Sequence, residues 1–253
     1  MCGRFTQIAT WAEVWAFSQP LTLTLPEEPT EPAYNIAPTQ QAWVIASDGK
    51  GGAKAGRMRW GLIPHWAKDI KSGLATFNAR IETAATKPTF RSSFATRHCL
   101  VPASGSYEWV RTGAAKQAWY IHPAGAPLMF FAGLWDRWVS PAGDALLSFS
   151  ILTEPAEGAI AELHQRRPLV IDRENAQEWL ACSVEASLRI SGGSAPSLHW
   201  HPVGHEVGNS IADGAFLIID KRGFLRLTPR FDFPSERTIE SLNRPGFLGG
   251  CFH

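Results

Sequence analysis

Leu128-Met129-Phe130-Phe131-Ala132-Gly133-Leu134-Trp135 and Leu146-Leu147-Ser148-Phe149-Ser150-Ile151-Leu152-Thr153 close a series of five apolar runs. The series opens with Cys99-Leu100-Val101, Ser106-Tyr107-Glu108-Trp109-Val110 and Trp119-Tyr120-Ile121-His122. β-Branched or aromatic residues occur in each of these runs, and Gly-bearing segments such as Arg111-Thr112-Gly113-Ala114-Ala115 separate several of them. Such spacing predicts short strands joined by hairpin-length turns. Strands that follow one another this closely favour an antiparallel, curved sheet or barrel.

Upstream of this series, Thr10-Trp11-Ala12-Glu13 reads as a capping box that opens a helix through about Phe17. Residues 20–32 form a Pro-rich loop that ends at Tyr34-Asn35-Ile36-Ala37-Pro38. Trp43–Ala46 and Arg57–Ile63 read as partner strands around a turn at Asp48–Gly52, followed by a polar loop from His65 to Gly73. Thr76–Thr83 leads into a polar, Arg-bearing stretch ending near Arg97. Downstream, Glu154–Leu163 reads as weakly helical, Pro168–Ile171 as a strand, and Asp172 as the cap of a helix from Arg173 to Ala181. Ser183–Ile190 reads as a further helix, and Leu198–Val203 and Phe216–Ile219 as late strands. No repeat period and no linker between two cores is visible. The expected fold is one α+β domain over residues 2–222, a curved, largely antiparallel β-sheet or barrel-like core flanked by short helices. Residues 223–253 are expected to be a loosely docked C-terminal extension.

The 253 residues are 45% hydrophobic and 19% charged, the balance of a globular domain rather than a disordered or membrane chain. No apolar run approaches the ~20 residues of a membrane span, and no basic-then-apolar segment opens the chain. A cytoplasmic protein with no membrane partner is expected. Cys2, Cys99, Cys182 and Cys251 form no C-x-x-C pair, so neither a metal site nor a disulfide framework nor any cofactor is expected. Cys99 reads as a buried strand thiol. The net charge of +1 is unevenly placed: residues 50–116 carry +9 and the remainder −8. Trp60, Trp66, Phe77, Phe90, Phe94, Tyr107 and Trp109 interleave that basic window. Cations that track phosphates beside rings that stack on bases suit single-stranded nucleic acid, although a charge block is more often a solvated face and the rings suit a core equally well.

Met1-Cys2-Gly3-Arg4-Phe5 opens the chain. Loss of Met1 to the general aminopeptidase is expected, because cysteine is small. It would leave an amine of ordinary pKa about 7.7–8.0 beside a thiol. Such a 1,2-aminothiol condenses with an aldehyde, first as a Schiff base through nitrogen and then as a thiazolidine through sulfur. Gly3 permits close backbone approach, and Arg4 is expected to favour the thiolate. The plain alternative is a chance cysteine in a frayed terminus.

Taken together, Cys2-Gly3-Arg4-Phe5, Tyr34-Asn35-Ile36-Ala37-Pro38, Trp60-Gly61-Leu62-Ile63-Pro64, Asn78-Ala79-Arg80-Ile81-Glu82-Thr83, Tyr107-Glu108-Trp109, His164-Gln165-Arg166-Arg167-Pro168 and Trp200-His201-Pro202-Val203 resemble the SOS response-associated peptidase family of abasic-site processing proteins. The family usually has methionine where Arg167 stands, and the tail after about residue 220 lies outside the match. The resemblance implies a monomer that binds single-stranded DNA and captures abasic sites as a covalent crosslink through Cys2. The peptidase name implies removal of residues preceding that cysteine. Only Met1 precedes it in this sequence, and self-cleavage is expected to be unnecessary. Strand cleavage by a lyase step is a further activity the resemblance raises.

Cys2, Asn78, Glu108 and His164 are then the expected catalytic group. Arg4, Asn35, Pro38, Trp66, Arg80 and Trp109 are the expected DNA-binding group. Glu108 suits proton shuttling if an apolar site raises its pKa, and His164 has the ordinary pKa for acid–base work. Asn78 offers an amide to the N-terminal group or a sugar oxygen, Arg80 suits a phosphate, and Trp66 and Trp109 suit base stacking. Their ordinary readings are a solvated strand carboxylate, a helix-end histidine, a turn residue, a pair with Glu82, and core packing. Two other classes fit parts of the pattern. An N-terminal-nucleophile amidotransferase also begins Met-Cys-Gly, but its aliphatic fourth residue and Asn-Gly-Glu element are missing. A non-covalent single-stranded DNA-binding module would use the basic window with Cys2 incidental.

Overall fold

The computed structural model describes residues 2–113, 115–182, 189–190 and 197–221. Its strands are β1 (Arg4–Gln7), β2 (Leu23–Thr24), β3 (Ala33–Ile36), β4 (Gln41–Ser47), β5 (Ala53–Trp60), β6 (Asn78–Arg80), β7 (His98–Ala103), β8 (Gly105–Thr112), β9 (Ala115–Pro123), β10 (Met129–Val139), β11 (Ala145–Pro155), β12 (Arg166–Pro168), β13 (Val170–Ile171) and β14 (Leu198–Pro202). Short helices α1 (Trp11–Ser18), α2 (Ile81–Ala84), α3 (Arg91–Thr96) and α4 (Ala176–Leu180) flank them. The fold is α+β around a largely antiparallel barrel, as the sequence pattern implies.

All five runs of the decisive series are strands, but they do not stay in one sheet. β4 pairs with β5 and β7, β7 with β10, and β10 with β11. β11 then returns to β5 in parallel, Phe149 opposite Trp60, which closes a five-stranded barrel. The β8–β9 hairpin leaves the barrel at Ser104 and builds a second sheet of order β14-β9-β8-β1-β3. Strand alternation separates the side chains into two cores. Trp43, Ile45, Leu100 and Phe130 meet Trp11, Phe94 and Trp179 from the helices. Val44, Trp60, Val101, Phe131 and Phe149 turn to the other face and receive Phe5 from the second sheet.

Local signals held where the chemistry is local. Thr10 Oγ1 accepts from the Glu13 amide (3.2 Å) while Glu13 Oε2 accepts from the Thr10 amide (2.8 Å), a complete capping box. Elsewhere the outcome differs. Glu154 and Pro155 extend β11, and only Gly158–Glu162 turns, as a 3-10 helix. Asp172 makes no side-chain cap, and a 3-10 turn at Arg173–Asn175 precedes α4. Ala215–Ile218 is a 3-10 turn where a strand was expected. The Arg-bearing stretch before Arg97 contains α3, which buries Phe94. Most of Ser183–Ile190 and all of the 223–253 extension lie outside the described residues.

β5 ends at Trp60, and the next residue is Gly61, whose φ of +117° disfavours any side chain. A Cβ there would stand 2.3 Å from the Gly73 carbonyl oxygen, so the 65–75 loop docks only because residue 61 lacks one. Gly61→Ala should therefore destabilise the protein by about 1–3 kcal/mol, the scale of a strained backbone position. Urea denaturation measures it, and an unchanged midpoint would contradict the contact.

The β11–β12 ladder sets Glu154 opposite Arg167. Arg167 Nη2 lies 2.7 Å from Glu154 Oε1, with the two side chains 11% and 9% exposed. Burial pushes the Glu154 carboxyl up to about 7; Glu157 and Glu82 add to the rise, and Arg167 and Arg166 oppose it. A carboxyl raised on folding binds more protons folded than unfolded between its ordinary value near 4.5 and about 7. Its contribution to stability is present below that window and lost as pH rises through it. The stability of Glu154→Gln relative to the parent should thus increase from pH 5 to pH 8. A difference independent of pH would show that Glu154 titrates as an ordinary glutamate.

Candidate active site

Cys2 is 1% exposed, just ahead of β1. Its carbonyl accepts from Asn78 Nδ2 at 2.6 Å. Asn78 opens β6, which lies parallel to β11 with Asn78 opposite Ile151. The Trp60 indole donates to the Phe77 carbonyl (2.7 Å), fixing the residue before it. Asn78 Oδ1 is buried and has no hydrogen-bond donor among the described residues. Its amide therefore grips the N-terminal segment on one side and keeps an acceptor in reserve on the other.

Glu108 reaches the same place from β8, the antiparallel neighbour of β1, where Arg4 opposes Tyr107. Alternation places Ser106 and Glu108 on one face and Tyr107 and Trp109 on the other. Glu108 is 7% exposed. Burial drives the Cys2 thiol well above the usual thiol range, and the Glu108 carboxylate pushes it further. The expectation that Arg4 favours a thiolate is thereby overturned. The Arg4 guanidinium turns away, donating to Asn35 Oδ1 (2.8 Å) and to the carbonyls of Val207 (2.9 Å) and Gly208 (3.2 Å).

A narrow cleft runs on from Glu108, lined by Ser106, Glu108, His164, Arg166 and Arg167 against an apolar wall that includes Met129 and Phe131. His164 follows the Gly158–Glu162 turn, with Nδ1 3.0 Å from both the backbone nitrogen and the carbonyl of Arg166. Arg166 forks onto Glu82, Nη1 to Oε1 and Nη2 to Oε2 at 2.9 Å each. That contact holds the Glu82 carboxyl below its ordinary range. Arg166 also donates to Thr153 through Nε to Oγ1 (3.2 Å) and Nη2 to the carbonyl (2.6 Å). The sequence reading passed over Ser106, although its two-residue offset from Glu108 on a strand was a usable signal. The partners of Arg166 carried no such signal, because Glu82 and Thr153 are distant in sequence.

The structure thus gathers Cys2, Asn78, Glu108 and His164 into one region, and the DNA-binding candidates scatter more widely. Asn35 is buried and donates from Nδ2 to the carbonyls of Asn209 and Ala212 (2.8 Å each), so it braces the segment that Arg4 also holds. Pro38 is half-buried and precedes Thr39, whose φ of +79° is unusual for a β-branched residue. Arg80 is exposed, and Glu82, which its ordinary reading would pair with it, forms its ion pair with Arg166. Trp66 is 57% exposed, whereas Trp109 packs against the Tyr107 and Tyr120 cluster on the face opposite Glu108. Trp60, Phe90, Phe94 and Tyr107 from the basic window are core residues. The interleaved rings therefore reduce to few surface aromatics, because strand alternation turns Trp60 and Tyr107 inward and α3 packs Phe94 into the core. Among the described residues, no cluster of three His, Cys, Asp or Glu is arranged to hold a metal.

The SOS response associated peptidase (SRAP) family model matches residues 1–210. The chain is similar to abasic site processing protein YoqW of Bacillus subtilis (strain 168), 38% identical over 181 residues that cover 71% of this chain and 80% of that protein. It is similar to abasic site processing protein YedK of Escherichia coli (strain K12), 33% identical over 226 residues that cover 86% and 99%. In fold it resembles a solved structure of a Bordetella bronchiseptica protein, with a TM-score of 0.69 at 22% identity over 80% of this chain and all of that one. A family match across both sheets and the cleft, joined by relatives aligned over most of their own length, has one reading: the chain belongs to the SOS response associated peptidase family.

Proposed function

We propose that this protein processes abasic sites in single-stranded DNA as part of the response to DNA damage, capturing them as a covalent crosslink through Cys2. The observation that carries the reading is the Asn78 amide on the Cys2 carbonyl at 2.6 Å, with the Glu108 charge acting on the Cys2 thiol. It holds Cys2 buried close to Glu108, at the end of the cleft that Glu108 shares with His164, where a frayed terminus would otherwise be expected. Support also comes from the relatives, which are named abasic site processing proteins.

In this reading Met1 is removed and the α-amine of Cys2 attacks the aldehyde of the ring-opened sugar. The carbinolamine loses water to give an imine. The thiol then adds to the imine carbon and its proton passes to nitrogen, closing the thiazolidine; one water leaves overall. A thiol held neutral by burial suits this order, because the amine is the competent first nucleophile. In support, Asn78 Oδ1 is buried with no donor among the described residues, and in this reading it accepts from the amine or a sugar hydroxyl. Glu108 moves protons during ring opening and closure. His164 with Asn78 positions the sugar and assists imine formation or its reversal. Peptidase action on any residue before Cys2 and β-elimination of the strand would draw on the same groups.

Purified protein should give a heat-stable adduct with abasic single strands on a denaturing gel, and Cys2→Ser should give no stable one. A residue retained before Cys2 should also abolish the adduct, since it removes the amine. Equal crosslinking by an N-terminally blocked form would sink the thiazolidine route. Glu108→Gln keeps the hydrogen-bonding shape without the titratable proton. It should bind strands normally and crosslink more slowly, by about 10² at most, the small end for general acid–base help. A time course reads this directly, and a wild-type rate in Glu108→Gln with unchanged pH dependence would remove Glu108 from the forward step.

A further inference from the structure

We infer that Arg167 is a phosphate-recognition residue of the cleft, donating to a phosphate oxygen of the bound strand next to the captured sugar. The inference rests on the strand-binding part of the function proposed above and extends it to a residue with no assigned role.

Two guanidinium groups line the cleft. Every nitrogen of Arg166 has a partner within the protein, Glu82 or Thr153. Arg167 has one contact, Nη2 to Glu154, while its Nε and Nη1 are buried without an acceptor among the described residues. A buried donor left unsatisfied costs about 1–3 kcal/mol, and more on a charged group. Native proteins keep few of them, and each calls for a reason. The cleft wall is apolar at Met129, Phe131, Val170 and Leu198, and its polar lining residues Ser106, Glu108 and His164 make no hydrogen bond to Arg167 Nε or Nη1. Glu154 balances the charge through a single nitrogen and leaves the other donors to a ligand that brings its own anionic oxygen. A nucleic acid strand brings one such group per nucleotide, and arginine suits phosphate recognition.

Both donors are shut from solvent, so occupying them requires one cleft wall to shift. The Gly158–Glu162 turn, which contributes Ile160 to the cleft, has no buried residue of its own and is the segment we assign to that shift.

The test is a binding cycle on single strands that carry the ring-closed tetrahydrofuran analogue, which has no aldehyde and forms no adduct. A neutral methylphosphonate replaces the phosphate on one side of the site or the other. The parent protein should lose about tenfold or more in affinity at one of the two positions, the scale of a hydrogen bond to a charged group. Arg167→Met should be indifferent to the same replacement. Arg167→Met leaves Glu154 buried alone, so Glu154→Gln/Arg167→Met carries the same comparison if the single variant does not melt cooperatively. Equal losses in parent and variant at both positions, or a parent indifferent to both, overturn the inference. Arg167-dependent stabilisation by inorganic phosphate with no methylphosphonate effect marks a free-anion site and overturns the strand assignment. Crosslinking of a natural abasic strand is read separately: its failure in the parent sinks covalent capture, while the binding cycle still decides Arg167.

Discussion

The contact on which the site depends is Phe5 against Trp60. The rings meet edge to face at 5.0 Å, with Phe131 a further edge contact at 6.3 Å. Ordering a residue costs about 1–2 kcal/mol of backbone entropy, so a terminal segment normally frays. Burying one phenylalanine returns about 1.5–3 kcal/mol, and a well-placed aromatic pair adds about 0.5–1.5 kcal/mol. Gln7 completes the anchor. Its amide donates to the carbonyls of Trp43 (2.8 Å) and Pro102 (2.9 Å) and accepts from the Trp43 amide (2.9 Å), tying β1 to two barrel strands. Cys2, three residues from Phe5, inherits a fixed position. The barrel closure that sets Trp60 beside Phe149 is thus what places the first residues of the chain.

Electrostatics in the cleft follow from the same burial. Charged side chains there are held against opposite charges on neighbouring segments, Arg166 against Glu82 and Arg167 against Glu154. A lone charge in such a place is costly, whereas a paired one is tolerated. Burial and the nearby Glu108 charge outweigh the positive N-terminus and keep the thiol protonated. The route proposed for the site accordingly begins from a neutral thiol rather than from a thiolate generated in advance.

Strand positions were legible in the sequence because period-two alternation and turn residues are local. Sheet membership was not. Nothing in Ser106–Val110 or Trp119–His122 distinguishes a barrel strand from one that departs at Ser104, and the parallel β5–β11 closure joins segments nearly ninety residues apart. Phe216–Ile219 looks like a strand by composition, but its backbone forms a 3-10 turn. At the site, Cys2, Asn78, Glu108 and His164 were legible as pieces of matched motifs, each with a plausible chemistry. What Arg4 and Asn35 do was not, since both are engaged by the distant 207–212 segment. Nor was the selection of Trp66, over its fellow aromatics, as the one most open to solvent.

The buried thiol has a consequence for survival as well as for reactivity. The thiolate is the form that peroxides and electrophiles attack, and exposure governs which cysteines enter the sulfenic and sulfinic series. Cys2 is protonated, 1% exposed and enclosed beside an acidic group. Oxidants and alkylating agents that accompany damage to nucleic acid would meet it slowly, although it is placed at the end of the chain where a cysteine is ordinarily most vulnerable. For the covalent capture proposed above, the enclosure would keep the nucleophile intact through chemical stress.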